Sequence, residues 1–161
     1  MRTLNTLTIV TGMALLSIPA LANEQLRTIS DHARTVQGQA EEINMGLKKK
    51  SLTDDALKSK LDTSAASLEQ LKNAVAELES SNSNVASLGK DWQLLKDKVQ
   101  LLAIFHERKS ELLTDVNRNR SMIRAHADGI AKRAAMLQQT VSRIQKSMPA
   151  SASTAAGGGG E

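Results

Sequence analysis

Apolar residues that recur every three or four positions are the feature that most constrains the fold of this chain. They keep this spacing across residues 26–47, 57–78 and 88–148. Because an α-helix turns once every 3.6 residues, such a series lies along one face of a helix. Pro19 and Pro149 are the only prolines, so no proline ring interrupts a helix between them. The pattern predicts long amphipathic helices.

Composition favours the same class of fold. The chain relies on Ala, Leu, Lys, Gln, Glu, Ser and Arg, most of which are strong helix formers. Trp92 and Phe105 are its only aromatic residues, whereas β-sheets are enriched in aromatic and β-branched residues. The sequence therefore predicts an all-α protein. It contains no cysteine, which excludes disulfides, thiolate zinc sites, thiol catalysis and a lipid-bearing cysteine.

Residues 1–22 have the three parts of an export signal. Arg2 supplies the positive start, residues 7–18 are largely apolar, and an Ala-Leu-Ala tripeptide at 20–22 suits a signal peptidase. The alternative is an uncleaved membrane anchor, but the apolar run is shorter than the roughly 20 residues that span a bilayer. We expect cleavage after Ala22 and a secreted or periplasmic location.

Residues 23–148 are predicted to form one helical domain. The leading interpretation is an antiparallel bundle of about four long amphipathic helices, with a break near 115–121, where Asn117 and Asn119 are poor helix formers. The alternative keeps residues 87–148 as one helix because the apolar phase does not slip there. It gives a long coiled-coil hairpin or a three-helix arrangement with an extended final helix. A widened apolar face at 101–105 suggests contact with more than one neighbouring helix.

Residues 149–161 differ in composition from the rest of the chain. After Pro149 they consist of Ala, Ser, Thr and Gly, with Glu161 at the end. Small side chains and glycines bury too little surface to offset the loss of chain entropy on folding. This segment is predicted to be a disordered tail.

The sequence contains no motif for a catalytic, metal or cofactor site. No two of His32, His106 and His126 lie three or four residues apart, so no helix presents a ready pair of metal ligands. The Glu-x-x-His pattern of di-iron bundles is also missing. We expect no enzyme activity and no cofactor. His106, Lys109 and Arg120 fall on the apolar series, where buried polar side chains fix the register of packed helices.

The distribution of charge is the one sequence pattern that indicates a function. Residues 118–148 contain seven basic residues against Asp128 alone. A basic face of this kind attracts anionic partners. Five basic residues fall off the apolar series and are the candidate contacts for an anionic ligand: Arg124, Lys132, Arg133, Arg143 and Lys146. The alternative is internal pairing with the acidic second series, within residues 51–88.

Two functions remain open at this point. The first is a non-enzymatic envelope scaffold, adaptor or holding chaperone that acts by protein–protein contacts, with a protein partner or a second copy of the chain. The second is a binding module for an anionic lipid head group or polysaccharide, through the basic last helix. Nucleic acid is disfavoured because an exported protein does not meet it and the chain lacks aromatic residues for base stacking.

Overall fold

The computed structural model describes residues 18–81, 85 and 88–148, and in these ranges every regular element is helical. The helices, in chain order, are α1 (Ile18–Lys48), α2 (Asp54–Ser81), α3 (Gly89–Glu107), α4 (Lys109–Leu112) and α5 (Val116–Ser147). The predicted all-α class is confirmed. The predicted signal segment before residue 18 and the predicted tail 149–161 lie outside these ranges.

The long helices α1, α2, α3 and α5 form a four-helix bundle in which neighbours run antiparallel. Helix α1 packs against both α2 and α5, and α3 packs against the same two helices. The direction of α2 along α1 follows from two contacts: Gln25 bonds Ser81 at 2.9 Å, and Lys60 bonds Glu42 at 2.8 Å. The predicted bundle is confirmed, and the two alternatives with one extended final helix are wrong.

Helix α5 returns along α1 in the opposite direction. The Gln145 amide donates to Asn23 Oδ1 at 3.0 Å, near the start of α1. The Arg124 guanidinium donates to Asn44 Oδ1 at 3.0 Å, near its end. Both ends of the described helical bundle, the start of α1 and the end of α5, therefore lie together.

The turn between α1 and α2 is capped on both sides. Lys50 adopts a left-handed conformation with φ of 56°, and the Ser51 amide donates to the Gly46 carbonyl at 3.0 Å. This is the Schellman arrangement that satisfies the last carbonyls of a helix. Thr53 Oγ1 accepts from the Ala56 amide at 3.2 Å, so the predicted cap of α2 is confirmed.

The break within the third apolar series lies slightly earlier than predicted. The chain turns at Leu113–Asp115, and Asn117 and Asn119 fall inside the first turn of α5. The reason is that short polar side chains here serve as caps. Asp115 Oδ1 accepts from the Arg118 amide at 3.1 Å, and Asn119 Nδ2 donates to the Leu112 carbonyl at 3.0 Å. A further interruption at Arg108, which separates α3 from α4, was not predicted.

The apolar series point into the bundle, where they form two clusters. A main cluster fills most of the length and includes Leu26, Leu71, Leu102 and Leu137. A smaller one lies at the end that holds the α1–α2 and α4–α5 turns. This turn-end cluster consists of Ile43, Leu57, Leu61, Ile123 and Ala127.

Helix α1 begins at Ile18, ahead of the predicted cleavage site, and Ala22 is buried in the main cluster. Within the part of the chain that the structure describes, no helix is long and apolar enough to cross a membrane.

Candidate functional site

The five predicted anion contacts do not form one surface. Arg124 faces α1, where it bonds Asn44. Arg133 faces α3, where its guanidinium carbon lies 3.9 Å from the centre of the Phe105 ring and Nη1 donates to the Gly129 carbonyl. These two arginines are held by contacts within the bundle, and Arg133 is half-buried.

The other three basic residues, Lys132, Arg143 and Lys146, share the outer face of α5. They are separated by 11 and 3 residues, which are close to whole turns of a helix. All three are exposed. Lys132 also pairs with Asp128 on its own helix at 2.7 Å, and Arg143 lies 3.8 Å from Asp91 on α3.

The predicted pairing of this basic helix with the acidic second series is wrong. Helices α2 and α5 each pack against α1 and α3, so they face each other only across the bundle. The carboxylates of α2 pair elsewhere: Asp62 with Lys109 at 2.8 Å, and Glu79 with Lys96. The hydrogen bond from Lys109 holds the pKa of the Asp62 carboxyl below its ordinary value.

An open groove lined by both apolar and charged side chains lies at the seam between α3 and α5. Its volume is about 510 Å³. The residues that line this α3–α5 groove are Leu101, Ile104, Phe105, Glu107, Arg108, Glu111 and Arg133. Leu101 is 60% exposed and Ile104 is 50% exposed. The prediction that the widened face at 101–105 contacts a further helix is therefore wrong for these two side chains, which face solvent.

Phe105 forms the inner wall of the groove because α5 has a glycine opposite it. A Cβ on Gly129 would lie 2.7 Å from Phe105 Cζ, closer than packed carbon atoms approach. Glycine thus lets the ring approach the α5 backbone, and Arg133 covers the same ring. A guanidinium in this position is attracted by the negative face of the aromatic ring.

Behind Phe105, the rings of two histidines continue a stack from the groove into the core. The Phe105 and His126 rings are 4.6 Å apart at 17°, and the His126 and His106 rings are 5.8 Å apart at 16°. Both histidines are buried. We call Arg133, Phe105, His126 and His106 the ring stack, since they form one continuous series from the half-buried guanidinium to the bundle interior.

The two histidines and Ser64 form a polar layer between the main and turn-end clusters. His106 Nε2 lies 3.3 Å from the Leu61 carbonyl oxygen on α2. His106 Nδ1, His126 Nε2 and Ser64 Oγ are buried without a hydrogen-bond partner in the described part of the chain. A buried polar atom without a partner costs about 1–3 kcal/mol, so the layer is a weak point of the core.

Burial favours the neutral form of both rings. Burial is the largest cause of a pKa of about 4 at His126, and the nearby charges of His106, Arg108 and Arg133 contribute to the same lowering. Burial also lowers the pKa of His106, and the Lys109 ammonium acts in the same direction. At neutral pH the layer is therefore uncharged.

The other polar residues of the apolar series lie at the margins of the core. Lys109 reaches Asp62, and Arg120 Nη2 donates to the Leu52 carbonyl at 2.6 Å. Both contacts join α4 or α5 to α2 or to its preceding turn. The role of Lys109, Arg120 and His106 in fixing the register of the packed helices stays a prediction.

The described residues offer no cluster of metal-ligating side chains. No group of three His, Asp or Glu side chains is placed to hold a metal ion within residues 18–81, 85 and 88–148. No known protein family, curated protein or solved structure matches the chain. The groove and the ring stack must therefore be interpreted from their own chemistry.

Proposed function

We propose that this chain is an exported, non-enzymatic helical protein that binds another protein through the α3–α5 groove. The observation that carries the proposal is the distribution of exposed apolar side chains. In the described ranges, five of the six large ones lie on α3 and α5: Leu94, Leu101, Ile104, Met122 and Met136. Single exposed apolar residues are normal, whereas a patch with a polar rim is typical of a contact site.

The register between α3 and α5 supports the proposal, because it brings their exposed apolar side chains to the same level. Lys98 reaches Thr140, and Phe105 lies under Arg133, so antiparallel register places Met136 at the level of Leu101. The exposed side chains of the two helices therefore lie side by side rather than on opposite faces. Apolar anchors that enter a groove supply most of the binding energy in many protein interfaces.

The charged residues that line the groove indicate the chemistry of the partner. Neither Arg108 nor Arg133 forms an ion pair with a carboxylate of the described residues. A partner carboxylate beside two or three apolar side chains would complement them. Glu107 and Glu111 on α3 and α4 also line the groove, so a basic residue on the partner would fix its orientation. The occupant we propose is a partner segment of this composition.

Export is the second part of the proposal, and it rests on the sequence. The positive start, the short apolar run and the Ala-Leu-Ala tripeptide at 20–22 support a signal peptide that is removed after Ala22. A fold without cysteine, which is stabilised without disulfides, suits an oxidising compartment as well as a reducing one.

Site-specific photo-crosslinking tests the groove. A crosslinking residue at position 104 is expected to capture one discrete partner in the native envelope, and the same residue at exposed position 73 on α2 is expected not to. The purified partner should then bind the Leu101→Asp variant at least about 30-fold more weakly than the original chain, the effect of losing a hot spot. Met45→Asp is the matched control, because Met45 is exposed to a similar degree on α1.

Two results would contradict the proposal. One is capture of a second copy of this chain at position 104, which would make the groove a self-association surface. The other is an equal loss of affinity in Leu101→Asp and Met45→Asp, which would place the contact outside the groove.

A second candidate function is weak binding of an anionic polymer or membrane surface by the outer face of α5. The shared outward position of Lys132, Arg143 and Lys146 favours it. Retention on heparin at low salt should then be lost in Lys132→Glu/Lys146→Glu, because exposed charges act over a Debye length of about 8–10 Å. Lys49→Glu/Lys58→Glu makes the same change in charge elsewhere and should keep retention. Equal retention of both variants would remove this candidate.

A further inference from the structure

The ring stack joins the surface of the α3–α5 groove to the polar layer of the core. Phe105 contributes to both, because one face of its ring meets Arg133 and the ring also stacks on His126. His126 in turn stacks on His106, whose Nε2 faces the Leu61 carbonyl. No other described side chain of the groove makes such a chain of ring contacts to the interior. Phe105 therefore lies between Arg133 at the groove and His126 in the polar layer.

A proton on His126 would be poorly accommodated where the ring now lies. The ring is buried between two apolar clusters, and its Nε2 has no acceptor within the described part of the chain. Arg108 and Arg133 are cationic, and His106 would be a second cation if it were also protonated. A buried cation without a partner carries a large desolvation cost. The charged ring is stable only after it has left the stack for solvent.

We propose that the ring stack is an acid-sensitive switch in which protonation of His126 displaces its ring, releases Phe105 and removes the inner wall of the groove. This proposal rests on the proposed function for its biological meaning, since it makes binding at the groove weaken in acid. The structural event itself concerns only this chain. It therefore can be tested without a partner.

The charged groups around His126 either disfavour a proton on its ring or are already held in an ion pair. From α3 come His106 and Phe105, and Arg108 follows at the end of that helix. From α4 comes Lys109, whose ammonium is held by Asp62 of α2 at 2.8 Å. On α5 itself Asp128 pairs with Lys132 at 2.7 Å.

Gln39 Oε1 on helix α1 is buried without a hydrogen-bond partner in the described part of the chain, and Gln39 lines a pocket with Ser59 and Thr63 of α2. Helix α1 supplies no buried carboxylate at this level. Its buried side chains there are Ala40 and Ile43, which are apolar. Its carboxylate Glu42 is paired with Lys60 of α2 at 2.8 Å. The carboxylates of Glu42, Asp62 and Asp128 are already paired, and those of Glu107 and Glu111 line the open groove rather than the buried polar layer. Displacement of the His126 ring toward solvent is then the expected response to a proton.

An NMR titration of the full chain between pH 7 and pH 3 tests the switch. The methyl signals of Leu101 and Ile104 are expected to shift with a single midpoint that equals the midpoint of the His126 ring signals. The Leu137 methyl signals, which report the main cluster, should stay fixed over the same range. In the two variants His126→Phe and His126→Gln, the groove signals should no longer shift, since neither side chain titrates.

His32→Gln is the matched control, because it removes the histidine that lies outside the stack and should leave the titration unchanged. The proposal is overturned if the groove signals stay fixed while His126 titrates, or if they still shift in both His126 variants. Simultaneous shifts at Leu137 would also overturn it, because they would indicate global unfolding. Failure of the crosslinking experiment at position 104 would instead remove the proposed function and leave this result intact.

Discussion

Replacing Leu102 by alanine is expected to lower the free energy of unfolding by about 3–5 kcal/mol, while the same change at the adjacent Leu101 is expected to cost less than about 0.5 kcal/mol. Leu102 is fully buried in the main cluster, and Leu101 is mostly exposed at the groove. The first variant removes buried methyl groups and leaves a cavity in a packed core. The second removes a side chain that contributes little to the fold.

Urea unfolding followed by circular dichroism measures both effects on the same scale. The pair forms its own control, since the two leucines are neighbours on one helix and have equal intrinsic helix propensity. Equal losses of stability in the two variants would contradict the placement of Leu101 on the surface, and with it the groove. A loss near 4 kcal/mol is large against a typical total stability of about 5–15 kcal/mol.

The free energy of unfolding is expected to fall by as much as about 3 kcal/mol between pH 6.5 and pH 4 because of His126 alone. The pKa of this residue is lowered from 6.5 to about 4 in the folded chain. On acidification the unfolded chain therefore binds the proton first, and stability falls as the pH drops through 6.5 and levels off below about 4. His106 adds a loss of the same sign, since its pKa is also lowered.

Asp62 also makes the free energy of unfolding fall on acidification, but at lower pH. The pKa of its carboxyl is held below the ordinary value of 3.8 by Lys109, so the stabilising effect is present above 3.8 and is lost as the pH falls further. The carboxylate and histidine contributions therefore occupy different pH ranges. A loss of stability confined to pH below about 4 would assign acid sensitivity to carboxylates and contradict the role of the polar layer.

Unfolding midpoints in urea at intervals between pH 7 and pH 4 test this prediction. The His126→Gln variant should show a shallower decline than the original chain, and His32→Gln should show the same decline. At pH 7 the His126 variant also reports the cost of the unpartnered ring nitrogen. If its decline in acid is as steep as that of the original chain, another group is responsible.

The periodicity of the sequence was sufficient to predict the fold class and most of the core. Residues such as Leu26, Leu71 and Leu137 fall on their series and are buried. A helix that buries one face away from water carries apolar residues on that face, and these recur every three or four positions. The exact position of the break before α5 was harder to predict from the sequence. Asp115 and Asn119 disfavour the middle of a helix, but the same property makes them caps, and spacing alone does not distinguish the two.

The groove could not be predicted from the sequence. Leu101 and Ile104 form part of an apolar run whose pattern is the same whether the face meets another helix or solvent. The ring stack was also missed, since Phe105 and His126 lie 21 positions apart and only the antiparallel pairing of α3 with α5 brings them together. The glycine at 129, opposite Phe105, was the one local signal that a ring approaches the α5 backbone.

The hydrogen bond between Asn23 and Gln145 has a consequence for how the protein could be handled or anchored. It places the first residue of the predicted mature chain beside the end of α5, while the turns at Lys50 and Leu113 lie at the opposite end of the bundle. Adjacent ends of this kind tolerate circular permutation and fusion. A short linker could join them, and new ends could be opened at the exposed Lys49–Lys50 turn. A fusion partner or surface attached at residues 23 or 148 would then be held at the pole of the bundle opposite the turn-end cluster.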